Sequence, residues 1–270
     1  MPRQQGFTLV ELVMVIVLLG IVATISTQFV SFSVRGAIDL GDRQQRALQG
    51  VVISEQITRE LRGAFPLSVR GNDECLEWLP ILGATAYTSL PADSPTVNIR
   101  PFGKAIEAGA RLIVYGYGPQ KQLYETGSSV PNPGPVSPKI EKVEFDAEKV
   151  SLVANHRFNA RSPQKRLYAV GGPVSVCRSD DRQWLYRYSN YNSLTTEQPT
   201  TLALAALAQT SALTREVMSA NLDPENSLAW RVTPPSFKRA AVVSFAFTLK
   251  AQNSNETTRV SQEVHIRNVP

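Results

Sequence analysis

The sequence predicts an α+β protein in which one long N-terminal helix packs on a mostly antiparallel β domain. Three observations carry this expectation. The run from Phe7 to Ile25 is apolar apart from a single charge, Glu11. Behind it, Ile38, Leu48, Val51, Val52, Ile57 and Leu61 recur at helical intervals among Asp42, Arg43, Arg46, Glu55, Arg59 and Arg62. From Pro66 onward, short runs rich in branched and aromatic residues alternate with Pro, Gly, Asn and Ser.

The apolar run is 19 residues long, close to the ~20 needed to cross ~30 Å of hydrocarbon as a helix. Thr24, Ser26, Thr27 and Gln28 soften it, and Phe29, Val30, Phe32 and Val34 extend it weakly. The expected membrane-spanning helix therefore covers 7–35, and 36–65 continue it as an amphipathic helix ended by Gly63 and Pro66. Gly36, Gly41 and Gly50 each cost ~1 kcal/mol relative to alanine, which predicts a kink or loosened turn near 36–41. Arg3 lies in a leader with no acidic residue before Glu11, so this end stays inside and everything after Arg35 faces outward.

Residues 66–270 form the expected β-rich body. Strands are predicted over 75–82, 111–118, 140–145, 149–154, 166–177, 183–189, 227–232, 241–251 and 258–267. The last two flank QNSNE, a hairpin loop. Residues 127–138, GSSVPNPGPVSP, read as a mobile surface loop. Residues 201–218 allow a short helix, a buried strand, or both. No repeat and no second domain boundary interrupts the body.

Composition excludes more than it assigns. With 43% hydrophobic and 19% charged residues the chain is globular rather than disordered. A net charge of +5 is too mild to single out nucleic acid. Two cysteines make neither a disulfide scaffold nor a thiolate metal site, and His156 and His265 lack local partners. There is no nucleophile elbow, P-loop, zinc motif or dinucleotide turn, and no acidic loop with calcium spacing. Asp180 and Asp181 read as a solvated turn beside Arg178 and Arg182. No catalytic residue, metal ligand or cofactor is expected, and the protein reads as a non-enzyme.

An ordinary secretory signal is cut after its apolar core. Here the small residue at a polar-to-apolar boundary is Gly6, before the core, and cutting there removes the leader while keeping the helix. The stretch GFTLVELV resembles the processing motif of type IV prepilins and type II secretion pseudopilins. The resemblance implies cleavage between Gly6 and Phe7 by a membrane peptidase, methylation of the new Phe7 terminus, and a pilin-like fold. Glu11 then becomes the fifth residue of the mature chain. It lies about 6 Å along the helix from the Phe7 amine and is placed to neutralise that amine in its own or a neighbouring subunit. The rival reading is a carboxylate snorkelling to the headgroups of a plain anchor.

A finer resemblance runs through EQITRELRGAFPLSVR (55–70), CLEWLPILGATAY, HRF, GPVSVC, RYSNY and VHIRNVP. These look like the MshO-like minor pilins of mannose-sensitive haemagglutinin pili, which are similar in turn to PilW minor pilins and GspJ-type pseudopilins. That implies a low-copy subunit that primes or caps a pilus tip. Its expected partners are other minor and major pilins, the prepilin peptidase, the inner-membrane assembly platform and membrane lipid. A J-type pseudopilin of type II secretion is the alternative, as is an anchored domain that never enters a filament.

Two further features keep two readings each. Beyond the membrane disulfides are permitted, so Cys75 and Cys177 either pair or stand as separate buried thiols. Residues 156–191 interleave aromatics with basic residues, among them Arg157, Arg161, Arg166, Trp184 and Arg187. That pattern suits a nucleic-acid or glycan surface, or equally strands with aromatics inward and arginines solvated.

Overall fold

The computed structural model describes residues 6, 8–90, 92–125, 132–191, 197–210, 213–226, 228–236, 239–252 and 254–267. Contacts divide the chain into two units, residues 1–49 and 50–270. In chain order the elements are α1 (Leu9–Arg62), β1 (Arg70–Gly71), β2 (Cys75–Trp78), β3 (Ile81–Ser89), β4 (Ala92–Ile99), β5 (Arg111–Ile113), β6 (Val136–Lys139) and β7 (Lys149–Arg157). There follow β8 (Arg166–Val170), β9 (Val174–Arg178), β10 (Leu185–Ser189), α2 (Thr201–Thr210), β11 (Thr214–Ser219), β12 (Ala229–Thr233), β13 (Ala241–Lys250) and β14 (Thr257–Ile266).

In the first unit the large apolar side chains from Leu9 to Val34 are exposed. Helix α1 runs without interruption through Gly36 and Gly41, so the loosened turn expected there does not form. Two glycine penalties of ~1 kcal/mol each do not break a helix in which every added residue closes another backbone bond.

The second unit is built around the last turns of α1. Ile53, Ile57 and Leu61, spaced by four residues, are buried on one face. Leu48, Val51 and Val52, which the sequence assigns to an apolar face, are exposed. Gly50 is not a weak point. A methyl added there would sit 2.6 Å from Val260 Cγ2, so only glycine lets the helix approach β14 this closely. The helix ends with Arg59 and Arg62 in its last turn, favourable at the negative end of its dipole. Tight bonds from the Gly63 and Ala64 N–H groups to the Glu60 and Leu61 carbonyls close it.

Every named strand pair is antiparallel. Among the described residues three sheets result, in the orders β1-β2-β9-β10-β11, β6-β5-β8-β3-β4-β7 and β12-β13-β14. One core joins the α1 ridge to apolar residues of the five- and three-stranded sheets, including Leu76, Trp78, Val176, Leu185, Phe245 and Phe247. A second core fills the six-stranded sheet. Bridges between Gly134 and Phe158 and between Ile140 and Leu152 draw that sheet's two outer strands together.

The strand boundaries differ from the sequence reading where proline or glycine intervenes. The run 75–82 is two strands, because Pro80 has no N–H to continue a ladder. The run 166–177 divides at Gly171–Gly172–Pro173 into β8 and β9, which join different sheets. Residues 140–145 form only isolated bridges, and 111–118 shorten to β5. Strand β4, most of β3, and β6 were not anticipated; the latter takes Val136–Lys139 out of the expected loop, whose residues 127–131 lie outside the described residues. The ambiguous 201–218 is both α2 and β11. The predicted hairpin joins β13 to β14 in unbroken register.

Replacing Gly50 by leucine should destabilise the chain by about 1–3 kcal/mol through overpacking. The thermal midpoint of the full chain in detergent reads this, and Val260→Ala in the same chain should recover part of the loss.

Candidate functional site

The N-terminal segment is built around a helix cap. The Glu11 backbone N–H donates to Thr8 Oγ1 at 3.3 Å, and the Leu12 N–H donates to the Thr8 carbonyl at 3.2 Å. Thr8 is thus the N-cap of α1, and Thr8-x-x-Glu11 has the spacing of a capping box. Gly6 lies before the helix and is exposed, while Phe7 lies outside the described residues. Glu11 is exposed in the first turn, where the helix dipole favours a negative charge. The cap was present in the sequence as Thr, two residues, Glu, but the stronger apolar pattern masked it.

Cys75 and Cys177 form a disulfide between directly paired positions of β2 and β9, closing a separation of 102 residues. It lies on the face of the five-stranded sheet turned away from the α1 ridge, packed with Tyr188, Tyr191, Leu204 and Leu213. Helix α2 is fastened over it. The Thr201 N–H donates to Glu74 Oε2 at 3.0 Å, Thr201 Oγ1 donates to the Arg178 carbonyl at 2.6 Å, and Gln198 Nε2 donates to the Cys75 carbonyl at 2.9 Å.

The basic and aromatic residues of 156–191 are divided between two sheets. Arg157 and Arg166 stand on β7 and β8 of the six-stranded sheet, with Arg161 in the loop between them. Trp184 and Arg187 belong to the β10 region of the five-stranded sheet. Arg187 is already occupied. Its Nε lies 2.9 and 3.0 Å from the two oxygens of Glu60, and its Nη1 lies 2.9 Å from Glu216 Oε2. With its Nε–H shared between the two Glu60 oxygens and its Nη1 on Glu216, this mostly buried arginine pins the last turn of α1 to β10 and β11. Trp184 lies parallel to Tyr186, whose ring also carries the Arg215 guanidinium at 4.9 Å. Arg166 lines a surface cleft with Tyr168 and Arg267.

A buried polar cluster was missed altogether, because its members are 70 to 191 in sequence and meet only in the fold. Arg70 and Glu77 are cross-strand partners on β1 and β2, with Arg70 Nε 2.5 Å from Glu77 Oε2. Tyr191 Oη donates to Glu77 Oε1 at 2.9 Å and lies 2.6 Å from Ser175 Oγ. The Arg70 guanidinium sits 3.6 Å over the Tyr124 ring, a desolvated cation–π contact. Burial pushes the Glu77 carboxyl above its ordinary range, and Arg70 only partly reverses this. Burial likewise raises Tyr124 and Tyr191, so both stay protonated as donors. The cluster is a hydrogen-bonded network in which Glu77, Tyr124 and Ser175 are buried.

Of the two histidines, His156 is fully buried against the edge of Phe158, and burial lowers its pKa, keeping it neutral. His265 lies on β14 beside Glu263. Among the described residues, no group of three or more His, Cys, Asp or Glu side chains is placed to hold a metal ion.

Arg70→Met and Glu77→Gln should each cost about 3–5 kcal/mol, because each strands the other group in the interior. The double variant Arg70→Met/Glu77→Leu should cost less than the sum, measured by denaturant unfolding. A carboxyl whose pKa is raised on folding lends stability below its unfolded pKa, lost as pH rises through the folded value. Wild-type stability should therefore decline across that window, and Glu77→Gln should flatten the decline.

Residues 1–27 match the family model described as the prokaryotic N-terminal methylation motif. No curated protein and no solved structure matches the chain. Among the described residues α1 is the one helix long and apolar enough to cross a membrane, with a window of mean hydropathy 2.7 that is 0% buried. The chain therefore carries a type IV prepilin-like N-terminal methylation motif on an apolar helix that leads into an antiparallel β body.

Proposed function

We propose that this protein is a minor pilin, anchored in the bacterial inner membrane and taken into a type IV pilus as a low-copy subunit of its tip. The observation that carries the reading is the order of features at the N-terminus. A methylation motif spans residues 1–27, and the exposed helix that begins within it at Leu9 holds Glu11 in its first turn. Cleavage after Gly6 leaves the apolar helix on the mature chain and creates an amine at Phe7. That amine needs a counter-charge in a low-dielectric bundle, where opposite charges attract far more strongly than in water. Glu11, about one helical turn on, supplies it. If the partner amine belongs to a neighbouring subunit, the pair sets the axial stagger between subunits.

The body's role in this reading is contact with other subunits, not chemistry. The MshO-like assignment rests on the sequence resemblance through residues 55–191 and the C-terminal stretch. The prepilin peptidase, other minor and major pilins and the assembly platform are the corresponding partners.

Mass spectrometry of the mature N-terminus tests the processing step. The wild-type chain should begin at a methylated Phe7, and Gly6→Val should retain the leader and fail to support pili. A wild-type chain that retains its first six residues in cells making pili overturns the reading. Glu11→Ala should be inserted and cut normally yet fall at least tenfold in pilus incorporation, measured by immunoblot of sheared filaments. Normal incorporation would remove the pairing role while leaving processing intact.

A further inference from the structure

Strand β14 is the outer strand of the three-stranded sheet, and among the described residues its strand partner is β13 alone. Ten residues long and in unbroken register, it presents a continuous edge. The bonds around β13 show which of its backbone groups are unpaired. The Ala251 N–H donates to the Glu256 carbonyl, so 251 and 256 are a hydrogen-bonded pair. The neighbouring backbone turns the other way. The Lys250 N–H bonds Asn221, and the Thr248 carbonyl accepts from Asp223. Hydrogen-bonded pairs alternate along an antiparallel ladder. Thr257, Arg259, Ser261, Glu263 and His265 therefore direct their N–H and C=O groups to the open edge. The same five residues are the exposed ones, their side chains sharing the face away from the core.

We propose that this edge is an interface with a second copy of the chain, in which β14 pairs antiparallel with β14 about a two-fold axis at Ser261. The register follows from charge. Centring on Ser261 sets Arg259 of each copy opposite Glu263 of the other, on the same outer face. Thr257 falls opposite His265, and no like charges meet. The hydrogen-bond parity agrees, since a two-fold axis through Ser261 places 261 against 261 and 259 against 263 as hydrogen-bonded pairs. All five open residues then find backbone partners. Arg259 has no salt-bridge partner among the described residues, and Glu263 reaches only Ser244 and His265 on its own sheet. An isologous contact of this kind closes on itself and yields a dimer rather than an open chain of sheets. The charges also protect the edge from other strands, which lack the complementary pattern.

The pairing does not depend on cleavage at Gly6, and its test is separate. Directly opposed residues in a hydrogen-bonded pair have Cα atoms about 5.5 Å apart, within disulfide reach. Ser261→Cys in the full-length membrane-anchored chain should therefore give a reducible covalent dimer under mild oxidation. The native Cys75–Cys177 pair leaves the new thiol as the free one. In that background Arg259→Glu opposes two carboxylates and Glu263→Arg opposes two guanidiniums. Each should lower cross-linking several-fold without changing the thermal midpoint. Co-expressing the two variants with different tags should restore it selectively between unlike chains, where every opposed pair is again complementary. Absence of the dimer overturns the proposal. So does cross-linking to a different protein instead, a yield indifferent to both charge reversals, or failure of the mixed pair to recover.

Discussion

Ile53, Ile57 and Leu61 fill the space shared by the five-stranded and three-stranded sheets, and the second unit is organised around that ridge. Four-residue spacing keeps all three on one helix face, and burying them against two sheets removes apolar surface from water on both sides. The neighbouring features follow from holding the helix there. Gly50 permits the close approach to Val260, and Arg187 grips Glu60 at the helix end. The Gly63 carbonyl accepts from the Ile81 N–H, which fixes where the chain enters β3.

The opposite face of the five-stranded sheet is stabilised differently. There, a disulfide and a buried ion pair accompany a smaller apolar cluster of Tyr188, Tyr191, Leu204 and Leu213. The disulfide constrains a long loop of the unfolded chain, the case in which the entropy model gives its larger values, up to about 4–5 kcal/mol. The Arg70–Glu77 pair contributes less to net stability than its distance suggests, because both charges leave water. The pair ties β1, β2 and Tyr191 together, with Tyr191 on the same carboxylate. With Tyr191, Ser175 and Tyr124 each satisfied, a shifted register would leave buried polar groups without partners.

This division bears on function. Some of the basic and aromatic side chains of 156–191 already have partners within the fold. Arg187 is neutralised by two carboxylates, Trp184 lies against Tyr186, and Arg157 and Arg166 belong to another sheet. The unsatisfied potential of the molecule lies in its apolar N-terminal helix and its open strand edges.

The amino-acid sequence by itself determined the N-terminal motif, the apolar helix and the mostly antiparallel body. Each of these depends on neighbours within a few residues. Hydropathy, the Thr8–Glu11 cap and the alternation of β13 and β14 all act at short range, and Pro and Gly mark where strands end. Tertiary structure alone decided which sheet each strand joins, because a period-two pattern is the same for every sheet. Strand β3 shows the limit: Gly83–Ala84–Thr85–Ala86 has little strand character, yet pairing with β8 holds it extended. The pairs Cys75–Cys177, Glu77–Tyr191 and Glu60–Arg187 were likewise set by the fold. Contacts across 100 or more residues leave no local periodicity, and the same side chains satisfy a solvated surface equally well until the chain closes around them.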